Sequence, residues 1–372
     1  MKRIVLVGGG FAGLHALGRL AGAGLDLRIT LIDRRATSDF LPMLPDLIGR
    51  PVRPRRLRYP LAPACERHGA RFLQATVEGI DLDARTVHLP DRDLPFDYLL
   101  LASGSETTFH GHDELRAASL TLDDVADAVR MCDSLDGGGV ERVVVVGGGY
   151  TGVEIATNVW RRQRGSRSER RVAIVEYTDT LLPGLPEEFR LYTRANVRRL
   201  GIETVTGTTV ESVDAGTVIC TNGRRFERAL VLWSAGVQTG DFVRDLPVDR
   251  TRQGRIEVDE FLGFAPGCFA AGDVAGARRG GQPLRMGVQF SIAGGLCAAG
   301  NILHSLRGEE PDPFRPFDPG YVIPMANGRS CGRILGIECY GAVPTGMHYL
   351  MCLVRTFSWA DRLGLARDLG RV

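Results

Sequence analysis

The chain has 372 residues, 44% of them apolar and 24% charged, with a formal net charge of +2. This is the balance of a soluble globular protein with room for two domains, and it excludes a largely disordered chain. The basic residues are spread along the whole length, with Lys2 the sole lysine, so a nucleic-acid partner is not expected.

The first apolar run, Ile4 to Val7, leads straight into glycines. It reads as a strand of the fold, which leaves no place for a signal peptide. That strand, the G-x-G-x-x-G of Gly8, Gly10 and Gly13, a helix opening at Phe11 and Ala12, and a second strand RITLID ending in Asp33 form one mononucleotide-binding unit. Ala70 to Leu89 reads as short strands, and Phe96 to Ala102 as a buried strand closing on Ser103 and Gly104. The polar stretch Glu106 to Asp113 suits a crossing between domains, and a helix is expected over Leu122 to Leu135. Val143 to Gly152 (VVVVGGGYTG) then repeats Ile4 to Gly13 (IVLVGGGFAG), and its second strand RVAIVE ends in Glu176.

Arg161 to Arg171 reads as a solvated loop, and Glu187 to Leu200 as a helix. After Leu230 to Gly236 the chain is expected to return to the first domain, where Cys268 to Val274 precedes a helix over Val288 to Leu306. The tail from Phe314 has strand signals and ends in a helical stretch, Met347 to Leu369, with Met347, Leu350, Met351, Val354 and Phe357 at helical spacing. Packing within the fold is the first reading of that stripe. A membrane-surface contact or a homodimer contact are its alternatives.

The repeat carries the chemistry. In each unit the first glycine allows a tight turn, the second lets a pyrophosphate approach the backbone, and the third lets the helix pack on the sheet. The helix N-terminus presents free N–H groups to the phosphates. The acid about 20 residues on accepts the ribose hydroxyls. Two such units imply two dinucleotides. Glu176 favours NAD(H) over NADP(H), because a carboxylate accepts from a free 2′-hydroxyl and repels a 2′-phosphate.

The eight cysteines are scattered, with no C-x-x-C and no zinc-like pairing, so no metal site is expected and a reduced, cytoplasmic setting fits. No apolar run approaches the length of a membrane span.

The order GGGFAG, DYLLLASGSET, GGGYTGVEIA, LVLWSAGV, AAGDVAG and QFSIAGGLCAAGNI resembles the type II NADH:quinone dehydrogenases and their relatives, the apoptosis-inducing-factor-like quinone reductases. The likeness runs from Met1 to about Leu306. It implies an α/β fold of two Rossmann-like dinucleotide-binding domains, a glutathione-reductase-like two-dinucleotide flavoprotein, with a C-terminal α+β tail. Residues 1–112 and 237–312 would be two parts of an FAD-binding domain, 113–236 the NAD(H)-binding domain, and 313–372 a C-terminal region. The expected FAD contacts are Gly8, Gly10, Phe11, Ala12, Gly13, Asp33, Arg34, Val77, Ala102, Gly104, Gly272 and Asp273, with a helix starting just after Asp273. The expected NAD(H) contacts are Gly147, Gly149, Tyr150, Thr151, Gly152, Glu176 and Gly236. The resemblance also implies a role for Glu154 in orienting the nicotinamide or relaying a proton, against the plain alternative of an acid placed in the first turn of a helix. Asp273 has a plain alternative too, as a helix cap.

The sequence departs from the family pattern in places. Asp33 stands where the family usually has Glu. On the quinone-side helix Gln289 matches the first of several glutamines, but Ala293 and Gly294 occupy the next two places, which implies a less polar acceptor site. Phe40 to Pro51 holds no redox cysteine pair, which excludes dithiol-reductase chemistry. The expected function is an FAD-dependent NADH dehydrogenase that takes hydride from NADH and passes electrons to an acceptor, a quinone first. Alternatives are a reductase of a small iron–sulfur or other protein, and a slow-turnover FAD/NAD redox sensor. The expected location is cytoplasmic or peripheral on the cytoplasmic face of a membrane.

Overall fold

A computed structural model describes residues 1–164 and 170–370, so residues 165–169 of the predicted Arg161 to Arg171 loop lie outside the described residues, while its ends belong to helix Tyr150–Gln163 and strand Arg171–Glu176. The chain folds as two compact units. Unit 1 comprises residues 1–38, 60–106 and 237–318, and unit 2 comprises residues 39–59, 107–236 and 319–372.

The centre of unit 1 is a sheet in the order Gly263–Ala265, Cys268–Ala270, Tyr98–Leu101, Lys2–Val7, Leu27–Asp33, Arg71–Gln74. All neighbours in it are parallel except the Gly263–Ala265 edge. A parallel sheet is covered on both faces, which is why its first strand is apolar at successive positions instead of alternating. Val5 and Val7, with Leu99 and Leu101, join a core built with the antiparallel strands Gly79–Asp81, Thr86–Leu89 and Arg92–Pro95. The helices Phe11–Ala21 and Val288–Arg307 pack on each other so tightly that a β-carbon on Gly295 would stand 2.1 Å from the Ala12 carbonyl oxygen.

Unit 2 repeats this plan. Its sheet runs Ser119–Leu120, Ala229–Trp233, Arg142–Val146, Arg171–Glu176, Glu203–Thr206, parallel throughout. Side chains on a strand alternate between faces. Val143 and Val145 therefore meet helices Val125–Asp136 and Tyr150–Gln163, while Val144 and Val146 meet the antiparallel strands Val210–Asp214, Thr217–Cys220 and Arg225–Phe226. The predicted helices appear at Val125–Asp136, Glu187–Arg199 and Val288–Arg307.

Three features differ from the sequence reading. Residues 39–59 lie in unit 2, because Ile48 of helix Leu44–Gly49 enters that unit's core. No helix starts just after Asp273; Gly272–Val274 is a single 3-10 turn, and the next helix begins at Val288. The terminal stretch is two helices, Ala342–Arg355 and Trp359–Leu369, broken where Thr356 turns extended and its hydroxyl donates to the Cys352 carbonyl at 2.9 Å.

Three antiparallel strands, Gly320–Ile323, Ser330–Ile334 and Ile337–Gly341, precede those helices. Ile323, Met325 and Cys331 pack with Val153, Leu182 and Phe189. The last helix is anchored by the fully buried Asp368, which accepts from Arg56 Nε at 2.8 Å. The apolar stripe does not all turn inward. Leu350 and Val354 are 53% and 55% exposed, whereas Phe357 stacks on Tyr59. Core packing thus accounts for only part of it.

Candidate functional site: two matching cradles

At the end of strand Lys2–Val7, Gly8 takes a φ of +106°, where L-residues are strained. A β-carbon there would also fall 2.3 Å from the Ala102 carbonyl oxygen. The turn is closed by Asp33, whose Oδ2 accepts from Gly9 N at 2.7 Å and whose Oδ1 accepts from Arg35 N at 2.8 Å. A β-carbon on Gly13 would sit 1.9 Å from the Gly8 carbonyl oxygen, so only glycine lets the helix Phe11–Ala21 come this near the turn. Gly10 differs: a β-carbon there would meet no protein atom within 4 Å. It faces the space that a pyrophosphate needs, in front of a helix N-terminus whose first amides have no intrahelical acceptor.

A cavity of about 240 Å³ opens beside this turn, bounded by Gly8, Asp33, Arg34, Val77, Ser103 and Glu106 among others. Arg34 pairs with Glu106 at 3.4 Å across it. Gly104 carries a φ of +71°, and Ala102 N donates to the Val7 oxygen at 2.7 Å. Next to them the Ser103 hydroxyl is buried without a partner among the described residues. An orphaned donor beside an open glycine face fits a bound dinucleotide.

Asp273, in the turn Gly272–Val274, accepts from Ser105 Oγ at 3.3 Å. Burial pushes its carboxyl above the usual carboxylate range, and Arg255 and Ser105 oppose that rise. The Arg255 guanidinium is 4% exposed and donates from Nε to the Asp273 carbonyl at 3.0 Å and from Nη1 to that of Leu284 at 2.7 Å. Sequence reasoning misses Arg255 and Ser105 because nothing local marks them. Gly272 has a φ of +79°, and a β-carbon on it would approach Ala12 Cβ to 3.3 Å.

The second cradle has nearly the same geometry. Gly147 has a φ of +103°, and a β-carbon on Gly152 would lie 1.8 Å from the Gly147 oxygen. Gly149, like Gly10, faces open space, followed by Tyr150 and the exposed Thr151. Glu176 is 7% exposed; its Oε2 accepts from Gly148 N at 2.5 Å, and its Oε1 accepts from both N and Oγ1 of Thr178 at 2.8 Å. Gly236, at φ +92°, allows His110 to lie against it, since a β-carbon would stand 2.7 Å from His110 Nε2. This cradle, too, has the open glycine face that fits a dinucleotide.

Glu154 sits half-buried on helix Tyr150–Gln163. Burial, then the charge of Asp46, pushes its carboxyl well above the usual carboxylate range. Gln289 is half-buried at the start of helix Val288–Arg307. Five residues along, Gly294 packs against the turn at Ala271: a β-carbon on it would lie in ordinary contact, 3.4 Å from Ala271 Cβ and 3.6 Å from Gly272 N. Glu154 belongs to unit 2 and Gln289 to unit 1. Among the described residues no cluster of histidine, cysteine or acidic side chains could hold a metal ion.

Comparison with known proteins places this geometry. The family model described as pyridine nucleotide-disulphide oxidoreductase matches residues 2–293. The chain belongs to the pyridine nucleotide-disulphide oxidoreductase family. As a member it is an FAD-dependent oxidoreductase of pyridine nucleotides. Demethylphylloquinone reductase NdbB of Synechocystis sp. is 30% identical over 99% of this chain and 96% of its own. Type II NADH:quinone oxidoreductase Ndh of Mycobacterium tuberculosis is 27% identical over 92% of this chain and 81% of its own. Among solved structures, NDH2 of Plasmodium falciparum in complex with NADH superposes with a TM-score of 0.85, at 16% identity, over 99% of this chain and 97% of its own. The family's two-dinucleotide plan is thus the one the sequence repeat implies.

Two substitutions separate binding from folding. Gly10→Val, whose β-carbon would meet no protein atom within 4 Å, is expected to give a folded protein that purifies without flavin, whereas Gly13→Ala is expected to lower the thermal midpoint; circular dichroism and the ratio of flavin to protein absorbance read both. Glu176→Ala is expected to reduce the preference for NADH over NADPH by about tenfold or more, the scale of one hydrogen bond to a charged group. Steady-state kcat/KM for the two coenzymes checks this, and an unchanged ratio would remove Glu176 from the specificity site.

Proposed function

We propose that this oxidoreductase is an NADH dehydrogenase whose electron acceptor is a quinone. The observation that carries the reading is the paired cradle with a carboxylate, Glu176, closing the second turn. The relatives named for quinone reduction, which match nearly the whole chain, support the choice of acceptor.

FAD, when bound, supplies the two-electron chemistry that links a hydride donor to a quinone. The chain supplies position and charge. Gly8, Gly10 and Gly13 leave room for one pyrophosphate, and Asp33 rivets that turn to the sheet. Asp273, backed by Arg255, offers a carboxylate beside the same cradle. Gly147, Gly149 and Gly152 leave room for the second pyrophosphate, while Glu176 accepts from the ribose hydroxyls and repels a 2′-phosphate. Glu154 can hold a proton, because its surroundings disfavour the charged form. Reduction of a quinone to a quinol takes up one proton beyond the hydride.

We also assign a membrane-surface contact to the tail. No helix among the described residues is long and apolar enough to cross a membrane. On helix Ala342–Arg355, Val343, Leu350 and Val354 are exposed, and Trp359 and Leu363 of the next helix are 75% and 69% exposed. Arg355, Arg362 and Arg367 lie among them. Apolar side chains interleaved with arginines suit the headgroup boundary of a bilayer, where quinones are found.

Two measurements test these readings. NADH added to purified protein is expected to bleach the flavin band within about a second, given ordinary turnover rates, and a menaquinone or ubiquinone analogue is expected to restore it promptly. Bleaching that outlasts added quinone would point to a protein acceptor. The double variant Leu350→Glu and Val354→Glu is expected to lose co-sedimentation with anionic vesicles while retaining flavin. Vesicle binding that survives it, or a shift from dimer to monomer in its place, would assign the stripe to self-association.

A further inference from the structure

The side chain of Arg255 is buried, yet its guanidinium forms no ion pair among the described residues. It donates instead to two main-chain carbonyls, from Nε to that of Asp273 at 3.0 Å and from Nη1 to that of Leu284 at 2.7 Å. The backbone that carries it is itself held. Arg255 N donates to Thr251 Oγ1 at 3.2 Å, and the next residue, Ile256, donates to the Val274 carbonyl at 2.8 Å and accepts from Gly276 N at 2.7 Å. The guanidinium therefore ties the turn Gly272–Val274 to Leu284, shortly before helix Val288–Arg307 begins. All of these residues belong to unit 1, as do the glycines of the first cradle.

Bonds to two carbonyls do not call for a charge, since a neutral amide can make them. Taking a cation out of water costs several kcal/mol unless an anion offsets it. The immediate walls give no such anion: Arg255 lines a small space with Leu262, Ala271, Ala275, Leu284 and Phe290. The anion within reach is the half-buried Asp273, whose Oδ2 also accepts from Ser105 Oγ at 3.3 Å. Each group offsets the other's burial. Burial lifts the Asp273 carboxyl, and the Arg255 charge, then the Ser105 hydroxyl, act against that rise. Burial lowers the pKa of Arg255, and Asp273 acts against that fall. Away from water such an interaction is weakly screened.

We propose that Arg255 is a positioning residue for FAD: its charge acts through the Asp273 carboxylate, which it keeps as an acceptor for the cofactor, and its hydrogen bonds fix the turn on which Asp273 stands. The inference deepens the FAD reading of the first cradle and rests on it. An ionised Asp273 accepts from hydroxyls of the bound cofactor with the strength of a charged acceptor. Without the guanidinium charge the carboxyl takes up a proton more readily and becomes a weaker acceptor. A lysine at this position retains the charge without the planar fork, so it preserves the acceptor.

The test is a double-mutant cycle on FAD affinity, read from the fluorescence of flavin released on serial dilution of the FAD-loaded full chain. Arg255→Gln keeps hydrogen-bond donors and removes the charge, and is expected to weaken FAD binding about tenfold, the scale of one hydrogen bond to a charged group. In the Asp273→Asn background the same substitution is expected to change the affinity by less than about threefold, because the group through which the charge acts is gone. Arg255→Lys is expected to bind FAD within about threefold of the parent. Equal losses from Arg255→Gln in the two backgrounds overturn the proposal and leave Arg255 a strut of the fold. An FAD affinity that Asp273→Asn alone does not alter overturns it as well. Should Arg255→Gln not fold, as judged by circular dichroism, Arg255→Lys decides: a folded lysine variant that loses about tenfold in affinity shows that the charge is not what matters. Failure of the FAD reading itself takes another form, flavin retained by Gly10→Val, and is therefore distinguishable from failure of this proposal.

Discussion

The structure depends on one close approach, that of a helix backbone to the turn that precedes it. At Gly13 and Gly152 there is no space for a β-carbon, because the carbonyl oxygens of Gly8 and Gly147 occupy it. That approach fixes where each helix begins, and the beginning of a helix is where its unpaired amides and positive end are found. The binding face is therefore set by main-chain packing. Side chains refine it: Asp33 and Glu176 reach back from the next strand and tie the turn amides of Gly9 and Gly148.

The same economy extends through both units. Each has a largely parallel sheet with three antiparallel strands against one face, and in unit 2 the strand Arg142–Val146 divides its residues between two cores by simple alternation. A run such as VVVV is needed because neither face of the strand meets water. The duplicated plan gives two glycine turns whose φ values differ by only a few degrees, at +106° and +103°.

Much of this is legible in the sequence because the cradle is local. Glycines, strand and acid lie within one short segment, and their spacing encodes the turn. What is not legible depends on residues distant in the chain. Arg255 reaches Asp273 through the fold and has no motif of its own. Asp46 and Tyr349 come from separate segments, and only tertiary packing brings the hydroxyl of one to the carboxyl of the other. Residues 39–59 read as a continuation of the first domain, yet Ile48 is buried with Val143 and Val145. The apolar spacing of the tail predicts one helix where two form. Periodicity does not report a break made by a hydroxyl capping its own turn, nor which residues of a stripe find a partner.

The acid at the end of the second strand serves two masters. Glu176, which we propose chooses between coenzymes, already has both its oxygens engaged by the Gly148 amide and by Thr178. A lineage drifting toward the phosphorylated coenzyme could not simply exchange this residue for a basic one, since the glycine loop would lose its tether in the same event. Such a change calls for a compensating acceptor nearby to hold the Gly148 amide.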